Sequence, residues 1–303
     1  MRIVSLLPAA TEICFALGLG DEVVGVSAEC DYPPAAKARR VVSRPAIDLD
    51  GRTSRDVSLQ VGRRLENGGS LYAIDEAALN ELEPDVVLTQ AVCDVCAPSW
   101  GDVRDVASRL RRPPDIVSLD PHRLNDVLSD IRRVGDVCEA EDAATSFIEG
   151  LQERIGSVEE GLADARSRPK ILCLEWFDPL FVAGHWVPDM VALAGGEDVL
   201  ASPGEASRRV TPKDIVLAAP EVILLAACGF DLARAGKEAS VVTAEPWWAD
   251  LPATRSGRVW IADGSAYFSR PGPRLVNGIE LLAAVLHPER FAPPGSDVAR
   301  IWT

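Results

Sequence analysis

The chain has 303 residues, 47% of them apolar, and a formal net charge of −15 from 46 acidic against 31 basic side chains. A surface this acidic repels phosphate backbones, which argues against a nucleic-acid partner, and no uncharged apolar run is long enough to span a bilayer. The length leaves room for two domains of ordinary size.

Taken in chain order, Ile3–Leu7 reads as a strand, Thr11–Leu19 as a helix and Val23–Ser27 as a strand. A turn at Asp31-Tyr32-Pro33-Pro34 leads into a polar stretch through Gly51 and Arg55, and Asp56–Leu65 regains helical spacing before the breaker Asn67-Gly68-Gly69. Helix Glu76–Leu82, strand Val86–Thr89, a helix near Val103–Leu110 and strand Ile116–Leu119 come next. Strands alternating with helices predict a parallel sheet covered on both faces.

Apolar residues then recur at helical spacing from Leu124 to Val137 and again over about Asp142–Arg166. The second helix has an expected length on the order of 35 Å. Beyond Pro169 the alternation returns. Strand Lys170–Leu174, helix Met190–Ala194, helix Pro212–Ala218, strands Val222–Leu225 and Val259–Ile261, and helix Leu275–Leu286 are expected, with no strong pattern in Phe291–Thr303.

One phrase occurs twice. Leu82-Glu83-Pro84-Asp85-Val86-Val87-Leu88 and Ala218-Ala219-Pro220-Glu221-Val222-Ile223-Leu224 each run a helix into proline, an acidic residue and a short apolar strand. The repeat predicts two similar α/β lobes with a ligand held between them. The expected division is an α/β lobe over 1–121, a helical segment over 122–169 that acts as a stiff spacer, and a second α/β lobe over 170–303.

The segments Leu7-Pro8-Ala9-Ala10-Thr11-Glu12, Val24-Gly25-Val26-Ser27, Asp31-Tyr32-Pro33-Pro34, Glu83-Pro84-Asp85-Val86-Val87, Ala194-Gly195-Gly196-Glu197 and Val210-Thr211-Pro212-Lys213-Asp214-Ile215 come in an order that resembles the helical-backbone (class III) substrate-binding proteins of ABC transporters. Within that class the chain is most similar to the cobalamin-binding proteins and their unassigned relatives. The resemblance implies two Rossmann-like lobes with parallel sheets joined by a single long helix. It also implies a small-molecule ligand, an ABC permease as partner, and cleft aromatics at Tyr32, Trp176 and Tyr267. Two first-lobe positions that hold tryptophan in the cobalamin binders are Pro45 and Gln90 here, and the docking glutamates of the family fall near Ala77 and Lys213, beside Glu76 and Asp214.

Residue chemistry also singles out candidate ligand contacts. Aromatic faces stack on planar ligands at little entropic cost, which points to Trp100, Trp176 and Phe177, and to Tyr267 and Phe268 in a Pro/Gly-rich loop. Arg270 in that loop and Arg44 in the first lobe suit a carboxylate or phosphate. His185 and Trp186 come after Val182-Ala183-Gly184, where the imidazole could donate to a ligand or bind a metal; packing is the competing role. Gln90 and the Cys93/Cys96 pair lie just past a strand, where open α/β sheets bind ligands. Three chemical roles stay open for the thiols: redox dithiol, part of a zinc site, or soft donors to a metal centre. Small half-buried loop residues are the plainer alternative.

No nucleophile elbow, phosphate loop or His-Glu-x-x-His motif is present, so no catalytic set is expected and the chain reads as a non-enzyme. The leading expectation is a binding protein that requires no cofactor and holds a corrinoid or other metal chelate. The alternative is a cytoplasmic thiol-dependent enzyme or metallocofactor handler built on Cys93 and Cys96. A bare-metal receptor is disfavoured, because such a cleft needs several histidines and carboxylates. The sequence as it stands shows no secretory signal pattern, since Glu12 and Asp21 interrupt any apolar core. That suggests a cytoplasmic protein, or an extracytoplasmic one in a trimmed mature form. Seven cysteines, an odd number, fit reduced thiols better than a disulfide framework.

Overall fold

The computed structural model describes residues 1–47, 51–91 and 97–302. The chain divides into two compact units: Met1–Arg52, Asp56–Pro121 and Asn125–Glu149 form the first, and Thr53–Arg55, His122–Leu124 and Gly150–Thr303 the second. No helix among the described residues is long and apolar enough to cross a membrane.

Apart from Ser54, Arg55 and Leu124, the first unit contains β1 (Ile3–Ser5), α1 (Pro8–Ala16), β2 (Val23–Ser27), β3 (Arg40–Pro45), α2 (Ser54–Glu66), β4 (Tyr72–Ile74), α3 (Glu76–Leu82), β5 (Val86–Thr89), α4 (Trp100–Arg109), β6 (Asp115–Ser118) and α5 (Leu124–Val137). Its six strands lie in the order β4-β3-β2-β1-β5-β6. Central β1 and β5 are buried along their whole length, as expected of strands covered on both faces. Val4, Leu6, Val42, Leu79, Val87 and Val103 make the core between sheet and helices. Helix α1 starts earlier than its spacing suggested because Pro8 occupies the first turn, where a missing N–H costs nothing.

Helix α6 (Glu141–Gly161) begins in the first unit and ends in the second. Its 21 residues give about 31 Å at the usual rise. The helices between 122 and 169 are thus shared by the two units and do not form a third body. In the second unit Arg154 of α6 grips Glu280 with two bonds of 2.9 and 2.7 Å, which fixes the end of α6 against the final helix.

The second unit continues with β7 (Lys170–Phe177), β8 (Leu180–Val182), α7 (Val187–Leu193), β9 (Glu197–Asp198), β10 (Arg208–Arg209), α8 (Pro212–Ala218), β11 (Val222–Leu225), α9 (Leu232–Glu238), α10 (Ser240–Thr243), α11 (Pro252–Arg255), β12 (Val259–Ala262), α12 (Gly264–Tyr267), α13 (Leu275–Leu286) and β13 (Ala299–Ile301). Its sheet runs β10-β8-β7-β11-β12-β13, with β9 also paired to β7.

The two-lobe α/β architecture agrees with the expectation, but the sheets are mixed and not purely parallel. The central strands are parallel, whereas β4, β8, β10 and β13 pair antiparallel to their neighbours. For β8 the reason is connection length. Only Asp178 and Pro179 separate β7 from β8, and a two-residue link can only reverse the chain.

Both copies of the repeated phrase build the same step. Glu83 ends α3 in the left-handed region at φ 43°, and Ala219 ends α8 at φ 47°. Each sends its N–H back to a carbonyl four residues earlier, Leu79 at 3.0 Å and Ile215 at 3.1 Å, and the next residue, a proline, prevents further helix. Strands β5 and β11 then lie beside the first strand of their own unit.

Candidate functional site

Strands β7, β11 and β12 are parallel, so the segments leaving their C-terminal ends gather at one end of the second sheet. Trp176 sits near the end of β7, half-buried, its Nε1 donating to the Asp178 carbonyl at 3.2 Å and its ring tilted against Phe230 at 5.2 Å. Cys228, after β11, donates its N–H to the Glu175 carbonyl at 2.9 Å. Arg234 lies over the Phe230 ring, 4.0 Å from its centroid.

After β12, Asp263 caps α12 by accepting from the Ala266 N–H at 2.7 Å. Burial pushes its carboxyl up, opposed by that bond and by Arg274 and Arg270. Gly264 is required at its position, because a Cβ would lie 2.3 Å from the Ala227 carbonyl oxygen. That close approach seats α12 on the end of β11 and presents Tyr267, half-buried, with Arg274 6.0 Å from its ring centroid. Trp176, Tyr267 and Arg270 are therefore all partly exposed near this end of the sheet.

Three other expected contacts belong to the core. Phe177 is 2% exposed and Phe268 4%; Trp186 is 7% exposed, and its Nε1 donates to the Phe268 carbonyl at 2.8 Å. Alternation along a strand explains Phe177: with Trp176 on one face of β7, the next side chain enters the other. None of the three has a surface to offer a ligand.

His185 comes after β8, which runs antiparallel to β7 and carries the chain back past Cys173 before the histidine. Its φ is 53°, and its ring stacks on Trp186 at 5.6 Å and lies 5.7 Å from the ring of His122. Burial, and then His122, hold its pKa below the ordinary value.

In the first unit Tyr32 is 46% exposed, Arg44 is exposed and Trp100 is half-buried at the start of α4, where Ser99 caps the helix by accepting from Asp102 N–H at 3.2 Å. Gln90 is 5% exposed and so lies inside the unit. Cys93 and Cys96 lie outside the described residues. The five described cysteines are free, and burial raises the thiols of Cys14, Cys138 and Cys173, with Cys138 pushed up to about 11.

Sequence reasoning missed a row of hydroxyls. Strands β1, β2, β5 and β6 each end on a hydroxyl residue, Ser5, Ser27, Thr89 and Ser118. Of these Ser5, Ser27 and Thr89 are buried, and Thr11 Oγ1 links Ser5 Oγ at 2.8 Å with Cys30 Sγ at 3.0 Å. The strand-final Ser/Thr pattern was the available signal. The acidic residues beside the expected docking positions have local partners: Glu76 pairs with Arg109 at 3.0 Å, and Asp214 closes a capping box with Thr211.

Residues 3–266 match the family described as periplasmic binding protein. The chain belongs to that family. Among sequence relatives, this periplasmic binding protein is 26% identical over 278 residues to the vitamin B12-binding protein of Yersinia pestis (strain Pestoides F), covering 91% of this chain and 82% of the relative. The same figures hold for the vitamin B12-binding protein of Yersinia pseudotuberculosis serotype O:1b (strain IP 31758). Among solved structures it is similar to the periplasmic heme-binding protein RhuT from Roseiflexus sp. RS-1, with TM-score 0.69, 23% identity and coverage of 95% and 98%. It is also similar to the periplasmic vitamin B12 binding protein BtuF of Vibrio cholerae, with TM-score 0.67, 20% identity and coverage of 95% and 96%. At these identities the structural likeness establishes the fold.

Proposed function

We propose that this protein is the substrate-binding component of an ABC-type uptake system and that its ligand is a corrinoid, a large and partly planar metal chelate. The observation that carries the reading is the likeness to vitamin B12-binding proteins, which runs along 91% of the chain. Trp176 and Tyr267 support it. Both are large aromatics left partly exposed, Trp176 near the end of β7 and Tyr267 at the end of α12, and Trp176 is already oriented by Phe230 and the Asp178 carbonyl, so stacking on a ring would cost little further ordering.

Arg270 would meet amide, carboxylate or phosphate oxygens on the ligand periphery. Tyr32, Arg44, Trp100, Cys93 and Cys96 are proposed as further ligand contacts. The protein would act by binding and release with no chemical step. It would work outside the cytoplasmic membrane and hand its ligand to a permease. The thiol-enzyme alternative gains no support from the fold or from the relatives.

Native mass spectrometry and an absorbance spectrum of the protein purified from corrinoid-fed cells test the reading. A 1:1 corrinoid adduct with visible colour is expected. A colourless protein that acquires no mass from added cyanocobalamin contradicts it.

A further inference from the structure

We infer that His122 and His185 form a second site, which takes a first-row divalent metal ion that keeps part of its own coordination shell. This does not depend on the corrinoid reading. Both histidines belong to the second unit, and the chain is anchored beside His122 and at His185. Next to His122, Arg123 clamps the Asp189 carboxylate with bonds of 2.8 and 2.6 Å, and the Leu124 N–H donates to the same carboxylate at 3.1 Å. His185 donates its N–H to the Glu205 carbonyl at 2.6 Å and accepts from the Gly204 N–H at 2.9 Å. Its φ of 53° is left-handed, a conformation that disfavours a side chain.

The ring spacing leaves room for one shared ion if a nitrogen of each ring faces it. An imidazole nitrogen sits about 2.1 Å from a bound metal and about 1.1 Å from its own ring centre, so each centroid lies about 3.2 Å from the ion. Centroids 5.7 Å apart then subtend an angle of about 125° at the metal, close to the tetrahedral range. Two imidazoles on opposite faces of a planar macrocycle would need about 6.4 Å, so the pair suits a bent arrangement and not an axial sandwich.

The Nδ1 atom of His185 is buried and has no hydrogen-bond partner among the described residues. A buried nitrogen left in that state is destabilising, and a metal or its bound water would satisfy it. The third histidine, His287, is buried elsewhere, with Nε2 3.2 Å from the Gly195 carbonyl oxygen. No cluster of three or more His, Cys, Asp or Glu able to hold a metal occurs among the described residues. Two imidazoles alone leave positions open for water or for donors the ion carries, and nitrogen ligation favours Cu²⁺, Ni²⁺ and Zn²⁺ over Mg²⁺ or Ca²⁺.

The test uses the full chain with Cys93→Ser and Cys96→Ser, which removes the thiols as competing donors. Cu²⁺ and Zn²⁺ are titrated by calorimetry, and Cu²⁺ is also followed by electron paramagnetic resonance. The expected result is one equivalent bound, nitrogen couplings from two imidazoles, and a loss of at least about tenfold in affinity in His122→Gln and separately in His185→Gln. Circular dichroism confirms that each variant is folded. Unchanged affinity in both folded variants, or a spectrum without imidazole coupling, overturns the proposal.

Discussion

Glu221 and Lys170 exchange two bonds: the Glu221 N–H donates to the Lys170 carbonyl at 2.8 Å, and the Lys170 N–H donates to Glu221 Oε2 at 2.8 Å. Asp85 and Arg2 repeat the exchange in the first unit, with the same two distances. The acidic residue of the duplicated phrase therefore has a structural task. It latches the start of β5 to the start of β1, and the start of β11 to that of β7. That is why the phrase carries an acid after proline in both units while the residues beyond its strands differ.

The Asp85 latch is charged, which makes it sensitive to pH. The Arg2 N–H bond, then Arg112, hold the Asp85 carboxyl below its usual value. A depressed carboxylate contributes stability above its unfolded pKa, near 4, and loses it as pH falls through the lower folded value. Asp85→Ala is expected to unfold at lower urea than the parent at pH 7, with the gap closing below about pH 4. A gap independent of pH between about 2 and 7 contradicts the latch.

Asp130 behaves in the opposite sense. It is 8% exposed, its Oδ2 has no hydrogen-bond partner among the described residues, and burial pushes its pKa up to about 7. The folded state prefers the protonated form, so the penalty is absent below about pH 4, grows between about 4 and 7, and is complete above that. Asp130→Asn, which mimics the neutral acid, is expected to be more stable than the parent at about pH 8 by on the order of 2 kcal/mol, with little difference at about pH 4. Urea denaturation at the two pH values reads this directly.

Ala219 ends α8 in the left-handed region, where a Cβ is unfavourable by roughly 1 kcal/mol. Replacing it with glycine relieves the strain and also loosens the unfolded chain. Ala219→Gly is expected to raise stability by about 0.5 kcal/mol, seen as a higher denaturation midpoint with no change in the slope of the transition. A lower midpoint would show that the cap is held by something other than the backbone bond to Ile215.

Neighbouring aromatics separate binding from packing. Trp176→Ala and Tyr267→Ala are expected to weaken corrinoid binding on the order of 10- to 100-fold while the protein stays folded. Phe177→Ala and Phe268→Ala are expected to lower stability by about 3–5 kcal/mol, since they empty buried volume. Trp186→Phe leaves the buried Phe268 carbonyl without its donor, at a cost of about 1–3 kcal/mol. Thermal melts and binding isotherms on the five variants show whether the two groups divide in this way.

Much of the fold was legible because its main elements announce themselves locally. The spacing of α3, α5, α8 and α13, the apolar runs of β5 and β11, and the punctuation by Pro84 and Pro220 needed no tertiary partner to be read. The strands missed were short or polar. Arg40–Pro45, Arg208–Arg209 and Ala299–Ile301 are brief, charged or proline-bounded, and become strands only because a neighbour offers a ladder.

The site was less legible. Trp176 and Phe177, or Tyr267 and Phe268, look alike as aromatic pairs, and residue type does not say which member turns inward. Strand alternation could have separated the first pair. For the second, the sorting depends on the seat of Gly264 on Ala227 and on the bond from Trp186, contacts far apart in sequence. The nearness of His122 to His185, set by the Arg123–Asp189 clamp, leaves no trace in local pattern either.

A calorimetric titration of the purified protein with cyanocobalamin tests the central claim most directly. The account predicts saturation at one ligand per chain, with a micromolar or lower Kd that rises when Trp176 or Tyr267 is replaced by alanine. No measurable heat or change in Trp fluorescence at ligand concentrations up to about 1 mM, with the protein demonstrably folded, would contradict it.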